Sequence, residues 1–370
     1  MKIYPFRAVM PNLSRIPTIS DAFFDTVKED YSNQKKINYF DAPTHESAFY
    51  LYQLTTSGRS FWGVLAVADM KEYLNGNIKK HENTIVVNEQ KQSALLLERG
   101  AAIKPVLLAF KSPPQYPTDF FQQFCQNQVK NVPPSLSVNL SDTHHFWKIS
   151  NPKDIETLEK YFEAIESAYI ADGHHRCASS ALLFKNAPTE ANSKLFSAFF
   201  PVEELKINEF NRLLTGLNPA ERAGLVAAIA EVCDIEPLEK ATNPTEKFQF
   251  SVYINKKWHS ATWKSEILEQ FLSKNPNLVL LDVHLLNEKI FKEILNIKNI
   301  RRSERLRYVE GTRGLAKLQQ LTDESGGVAF AMFPVVFDDL KMVSDTNGTM
   351  PPKSTFFEPR MKNGLVIYEI

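Results

Sequence analysis

The run Tyr169-Ile170-Ala171-Asp172-Gly173-His174-His175-Arg176 constrains the fold of this chain more than any other stretch. An apolar segment leads into it and a helical pattern, residues 177–186, follows it. That order predicts a strand, a tight turn at Gly173 and a helix, with every polar group gathered at the turn. The start of a helix leaves backbone N–H groups unpaired and carries the positive end of the helix dipole, so anions settle there. Gly173 lets a ligand approach the backbone, and Arg176 offers a planar fork of donors suited to phosphate. Asp172, Gly173, His174, His175 and Arg176 are therefore read together as a phosphate-handling turn. Side chains of adjacent residues diverge, so His174 and His175 make a poor pair for one metal ion. No set of four Cys or His ligands at ordered spacing accompanies them.

The rest of the chain supplies a context for that turn. With 370 residues there is material for two domains, each with its own core. Lys plus Arg number 43 and Asp plus Glu number 43, so the formal net charge is zero. Neither a nucleic acid nor an anionic membrane is expected as a partner on that balance. The one basic cluster, Arg301, Arg302, Arg305, Arg307 and Arg313, reads equally as a solvated face or a second phosphate contact. The three cysteines, Cys125, Cys177 and Cys233, are odd in number and far apart, as reduced thiols in a cytoplasm would be. Cys177 sits at the expected helix start, where a thiol pKa tends to fall, but a small packing residue is the better reading. The N-terminal residues lack the apolar core of a signal peptide, and no apolar run reaches transmembrane length, so the expected location is cytoplasmic.

Local patterns divide the chain into alternating elements. Three prolines in residues 1–20 predict an extended segment. Aromatic and β-branched runs at 49–54 and 61–67, separated by Thr55-Thr56-Ser57-Gly58-Arg59, predict a β-hairpin. A short helix over 68–75 ends at Gly76, and a longer one runs from Asn88, read as its N-cap, to Gly100. Residues 104–110 read as a buried strand, 111–145 as a proline-rich excursion outside the sheet, and 144–149 as another strand. A helix opened by Asn151-Pro152 carries Ile155, Leu158, Phe162 and Ile165 on one stripe and delivers the chain to the organising turn. After an apolar strand at 193–202, an independent pattern begins. It comprises helix 219–233, strands 248–254 and 258–263, helices 281–295 and 312–320, and strand 327–333.

The fold class expected is α+β, with a domain at 1–204, a second α+β domain at 205–345, and a tail at 346–370 that returns to the first. That tail contains Met350-Pro351-Pro352-Lys353-Ser354-Thr355 and runs on to Pro359-Arg360. Two prolines stiffen it, and Lys353, Ser354 and Thr355 present a cation and two hydroxyls to a phosphate.

Four segments, in order, resemble the prokaryotic family called domain of unknown function 1015: Pro5-Phe6-Arg7, the block 76–84 with His81-Glu82-Asn83-Thr84, the turn 170–176, and the closing run 350–359. The likeness spans nearly the whole chain. Where that family tends to show a His-Arg pair after the next strand, this chain has Asn211-Arg212, so only the arginine carries over. A more distant likeness, confined to residues 76–186, is to free serine kinases of the ParB and sulfiredoxin-like superfamily. It implies a ParB/sulfiredoxin-like first domain whose turn holds nucleotide phosphates, with Glu82 matching the base that acts on the substrate hydroxyl.

Phosphoryl transfer asks mainly for positioning and positive charge. On this reading Glu82, His174 and Arg176 are catalytic, and Asp172, Gly173, His175, Lys353, Ser354 and Thr355 bind the cofactor, ADP or ATP. Asp172 is also the expected ligand of Mg²⁺. The function expected is transfer of phosphate from a nucleotide to a small hydroxylated, serine-like metabolite. The alternative is a nucleotide-binding regulatory switch without turnover, and a DNA-binding role finds little support in the neutral charge.

Overall fold

Each half of the architecture contains a tight hairpin, and both hairpins close through residues at positive φ. Between Thr56 and Arg59 lie Ser57 at φ 50° and Gly58 at φ 77°, a two-residue turn whose twist matches that of the strands it joins. Asn255 at 51° and Lys256 at 59° close the second hairpin in the same manner.

The computed structural model describes residues 1–370. It is a mixed α and β chain that divides into two compact units, Met1–Lys206 with Pro359–Ile370, and Ile207–Glu358. In chain order the first comprises β1 (Ile3–Tyr4), β2 (Ala8–Val9), α1 (Asp21–Lys36), β3 (Phe49–Thr56), β4 (Arg59–Asp69), α2 (Met70–Leu74), β5 (Ile78–Lys79), α3 (Val86–Arg99) and β6 (Ala101–Ala102). It continues through β7 (Val106–Phe110), α4 (Phe120–Val129), β8 (Leu136–Asn139), β9 (Thr143–Ile149), α5 (Pro152–Glu163), β10 (Ala168–Asp172), α6 (His174–Asn186) and β11 (Lys194–Pro201).

Nine of these strands form one sheet in the order β5-β10-β7-β11-β4-β3-β9-β8, with β1 paired to β4. The β5–β10 and β7–β11 pairs are parallel and the others antiparallel. Central strands buried on both faces read as continuous apolar runs, as β7 does with all of Val106–Phe110 buried. Leu108, Phe110, Phe162, Ile170 and Phe199 meet in the core beneath α5 and α6.

Two expectations need correcting. The segment 111–145 is not wholly outside the sheet, because β8 pairs with β9 and forms an edge; its alternation of buried Leu136 and Val138 with exposed Ser137 and Asn139 is the signal of a half-buried strand. Asn88 is not a helix cap: α3 begins at Val86 after Ile85, and Asn88 lies inside its first turn. Gly100 does end that helix, at φ 63°.

In the second unit β12 (Lys206–Asn208) straddles the boundary. There follow β13 (Phe210–Leu214), α7 (Pro219–Val232), β14 (Cys233–Leu238), β15 (Gln249–Ile254), β16 (Lys257–Trp263), α8 (Ser265–Lys274) and α9 (Asp282–Leu285), which widens into a π-helical stretch, Leu286–Ile294. Then come β17 (Leu306–Glu310), α10 (Gly314–Ser325), β18 (Val328–Met332), α11 (Phe337–Asp345) and β19 (Phe356–Glu358). Six strands form an antiparallel sheet, β14-β16-β15-β18-β13-β17, over a core that includes Phe250, Phe291 and Phe330. In the basic cluster Arg305 pairs with Glu221 at 3.0 Å and Arg313 with Glu310 at 2.9 Å, as a surface-salted face would.

The chain ends in the first unit with β20 (Ile367–Glu369), laid between β2 and β6. No helix is long and apolar enough to cross a membrane.

Candidate functional site

Strand β10 carries the chain to the site, and its last step is irregular. Ile170 pairs with Leu108 and Asp172 with Leu107, so Ala171 is an extra residue, a bulge. A bulge re-aims the side chain that follows it, here Asp172. Gly173 then takes φ 107° and ψ 31°, a backbone that side chains rarely adopt, and α6 starts at His174 with no side-chain cap. A side chain is strained at that φ, and a Cβ there would also displace the Arg176 guanidinium, whose Nη2 would lie at 2.7 Å and Nε at 2.8 Å.

Charge concentrates on one side of the turn. Arg176 Nη2 donates to Asp172 Oδ2 at 2.6 Å, and Lys104 Nζ stands 3.7 Å from the same oxygen. Burial alone would raise the Asp172 carboxyl, but the charges of Arg176, Lys104 and Arg360 hold it well below the usual carboxylate range. Burial, assisted by the charge of Arg176, lowers Lys104 to about 8, against the opposing pull of Asp172. Arg360 belongs to the C-terminal segment of this unit.

A different cluster lies on the other side. His174 is 7% exposed, its Nε2 accepts from the His81 backbone N–H at 3.4 Å, and its ring meets that of His81 edge-on with centroids 4.4 Å apart. An accepting Nε2 leaves the proton on Nδ1, which faces Glu82 Oε2 at 3.7 Å, within ion-pair reach but too far for a direct hydrogen bond. Burial lowers His174 to about 4, and lowers His81 well below the ordinary imidazole value. The Nδ1 atoms of His81 and His175 and the Nε of Arg176 are buried without a hydrogen-bond partner.

Next to the charged side lies a cavity of about 530 Å³. Its cations are Lys28 from α1, Lys91 and Arg99 from α3, Lys104, and Arg176. Leu95, Leu96, Ile103, Val106, Leu195 and Phe196 supply apolar walls, and no carboxylate lines it. Glu82, His174 and His175 do not line it either.

Of the residues anticipated from sequence, Asp172, Gly173 and Arg176 thus share the charged side of the turn, and Glu82 joins His174 on the other. Lys353, Ser354 and Thr355 lie in the second unit. The Lys353 amine stands 5.3 Å from the centroid of the Phe210 ring, its carbonyl accepts from Arg212 Nη2 at 3.1 Å, and the buried Ser354 hydroxyl donates to the Pro351 carbonyl at 2.6 Å. Mg²⁺ does not fit the Asp172 carboxylate, which two cations already hold, and no group of three or more His, Cys, Asp or Glu is arranged to bind a metal. Cys177 is fully buried and its thiol is pushed up to about 12, so desolvation outweighs the helix terminus. Sequence reading missed Lys28, Lys91, Arg99 and Lys104. The spacing of Lys91, Leu95 and Arg99 at four-residue steps, which puts them on one helix face, was the signal available.

The family described as "Protein of unknown function (DUF1015)" matches residues 14–284. The chain belongs to this family. Among solved structures, the DUF1015 chain is similar to a free serine kinase mutant in complex with AMP, at 12% identity, 81% of this chain and 92% of the other, with a TM-score of 0.40. SbnI with a C-terminal truncation, from Staphylococcus aureus, gives 10% identity, 81% and 85% coverage, and 0.39. A conserved hypothetical protein from Pyrococcus furiosus gives 15% identity, 82% and 95% coverage, and 0.36. At such scores the likeness fixes neither ligand nor reaction. No protein of curated function matches the chain.

Proposed function

We propose that the first unit binds a nucleotide, ADP or ATP, and transfers its terminal phosphate to a small hydroxylated, serine-like metabolite. One observation carries the reading: a cavity of about 530 Å³ lined by five cations, apolar walls and no carboxylate. Apolar walls suit a base, and the cations with the free N–H groups at the start of α6 suit phosphates. Lys104, Arg176 and the backbone after Gly173 hold the phosphates, and the exposed end of Glu82 takes the proton of the acceptor hydroxyl as its oxygen bonds to phosphorus and the bridging oxygen leaves with the nucleotide. His174, with Nε2 engaged by backbone, positions Glu82 instead of touching the substrate. On this reading the first unit is a ParB/sulfiredoxin-like domain, and its free, buried cysteines suit a reducing cytoplasm.

A second reading, a nucleotide-binding switch, is favoured by the absence of Glu82 and His174 from the cavity lining. The test is incubation of the wild type with ADP or ATP and a pool of hydroxylated metabolites, serine among them, followed by mass spectrometry. Glu82→Gln should keep nucleotide affinity while turnover falls by ~10²–10⁴-fold, the range of a positioned general base. Tight binding without any phosphorylated product supports the switch. A Glu82→Gln protein as active as wild type removes Glu82 from the chemistry.

A further inference from the structure

We infer that the nucleotide of this cavity carries a second phosphate on its ribose, and that Lys28 and Arg99 hold it. The inference rests on the reading of the cavity as a nucleotide site and adds where the phosphates of the ligand sit; ADP or ATP engages only part of the cationic lining.

The cations of the cavity fall into separate groups. Arg176 and Lys104 stand at the turn, both against Asp172. Lys28 and Arg99 are joined by a tertiary contact, because Arg99 Nη1, at the end of α3, donates to the Lys28 carbonyl of α1 at 3.0 Å. Arg99 Nε donates to the Ala101 carbonyl, also at 3.0 Å. Both acceptors are neutral, so the half-buried guanidinium has hydrogen bonds but no carboxylate, and its Nη2 is left for a ligand. Burial lowers the Arg99 pKa, and only the Tyr31 phenol opposes it. The acid beyond Tyr31 is Glu369, which Lys35 already holds. Lys28 is exposed and makes no ion pair of its own. A cation away from water without a carboxylate is relieved by an anion.

An apolar step runs along α3 toward that pair. Lys91, Leu95 and Arg99 share one helix face, and the eight residues from first to last rise about 12 Å, with Leu95 and Leu96 between the two cations. On the nucleotide reading the base lies on those leucines and the 5′ phosphates go to Lys104 and Arg176. The ribose then offers one other place for an anionic group, its 2′ or 3′ oxygen. A phosphate there meets Lys28 and Arg99 through charge-assisted hydrogen bonds.

The experiment is calorimetry on the full chain with adenosine 5′-monophosphate, its 2′,5′- and 3′,5′-bisphosphates, and ADP. One bisphosphate should bind about tenfold or more tightly than the monophosphate, the equivalent of one charge-assisted hydrogen bond, and the isomer that does so identifies the ribose oxygen. ADP has the same atoms as either bisphosphate but carries both phosphates on the 5′ chain, so it separates position from charge. Lys28→Met should weaken that bisphosphate by about tenfold and ADP by a clearly smaller factor, and Lys28→Arg should retain the preference. Circular dichroism checks that each variant is folded. If neither bisphosphate binds more tightly than the monophosphate, or Lys28→Met weakens ADP as much as the bisphosphate, the inference fails while the nucleotide reading stands. If no nucleotide binds, both fall.

Discussion

Replacing Gly173 by alanine tests whether the geometry of the turn makes the site. At φ 107° a residue with a side chain carries backbone strain of about 1–3 kcal/mol. The new Cβ would lie 2.7 Å from Arg176 Nη2 and 2.8 Å from Nε, far inside van der Waals contact. A guanidinium ends a flexible side chain, so it yields by swinging away and breaks its 2.6 Å bond to Asp172. That pair is part exposed, 29% and 33%, so its loss adds no more than about 1 kcal/mol. The sum, about 1–4 kcal/mol, lowers the melting point of a unit this size by roughly 2–16 °C. Displacing Arg176 should also weaken nucleotide binding by about tenfold or more. Both are read on one preparation, by circular dichroism melting and by calorimetry with ADP. Gly58→Ala is the control, because φ 77° strains the backbone there but no atom lies within 4 Å of the new Cβ. It should cost stability alone. A Gly173→Ala protein that melts and binds as wild type does would refute both the required turn and the role of Arg176.

Two further outcomes follow from buried groups. Gly63→Ala would set a Cβ 2.7 Å from Phe200 Cζ and 2.8 Å from the Phe199 carbonyl oxygen in mid-sheet, so urea unfolding should show a loss of about 1–3 kcal/mol with an unchanged m-value. His144 and His174 are lowered by burial to about 4, and burial lowers His81 well below the ordinary imidazole value; because the folded values lie below the unfolded 6.5, their contribution is complete above pH 6.5 and is lost as pH falls through the folded values. His144 and His174 should each withdraw about 2 kcal/mol by pH 5, and urea midpoints that do not fall between pH 7 and pH 5 would contradict the burial of these rings.

What was legible in the sequence was local. The organising turn could be read because strand, glycine and helix are contiguous, and both hairpins because their turn residues tolerate positive φ. β8 was obscured by Pro133-Pro134 just before it, and the start of α3 by Ile85-Val86-Val87, exposed β-branched residues that carry no helical stripe. The cationic lining was illegible for a different reason. Lys28, Lys91 and Lys104 come from separate elements, and only tertiary packing brings them toward Arg176: α3 lies on α6, Arg99 of α3 donates to the Lys28 carbonyl, and Lys104 leads into β7 beside β10.

The arrangement at the start of α6 sets a condition on any ligand that reacts there. Successive helical residues turn by about 100°, so Arg176 projects roughly 200° away from His174 on the same helix. Arg176, Ser179 and Ser180 face the cavity, while His174 turns to His81 and Glu82. Between them lies the first turn of the helix, whose N–H groups serve either side. A free phosphate held by Arg176 and Lys104 would occupy the charged side only. On the proposed reading, a ligand reaches Glu82 by anchoring its base on Leu95, Leu96 and Phe196 and extending its phosphate chain across the helix end. On that reading a long ligand reacts where a short one only binds, and the expected outcome is that a nucleoside diphosphate is turned over while inorganic phosphate merely stabilises the fold.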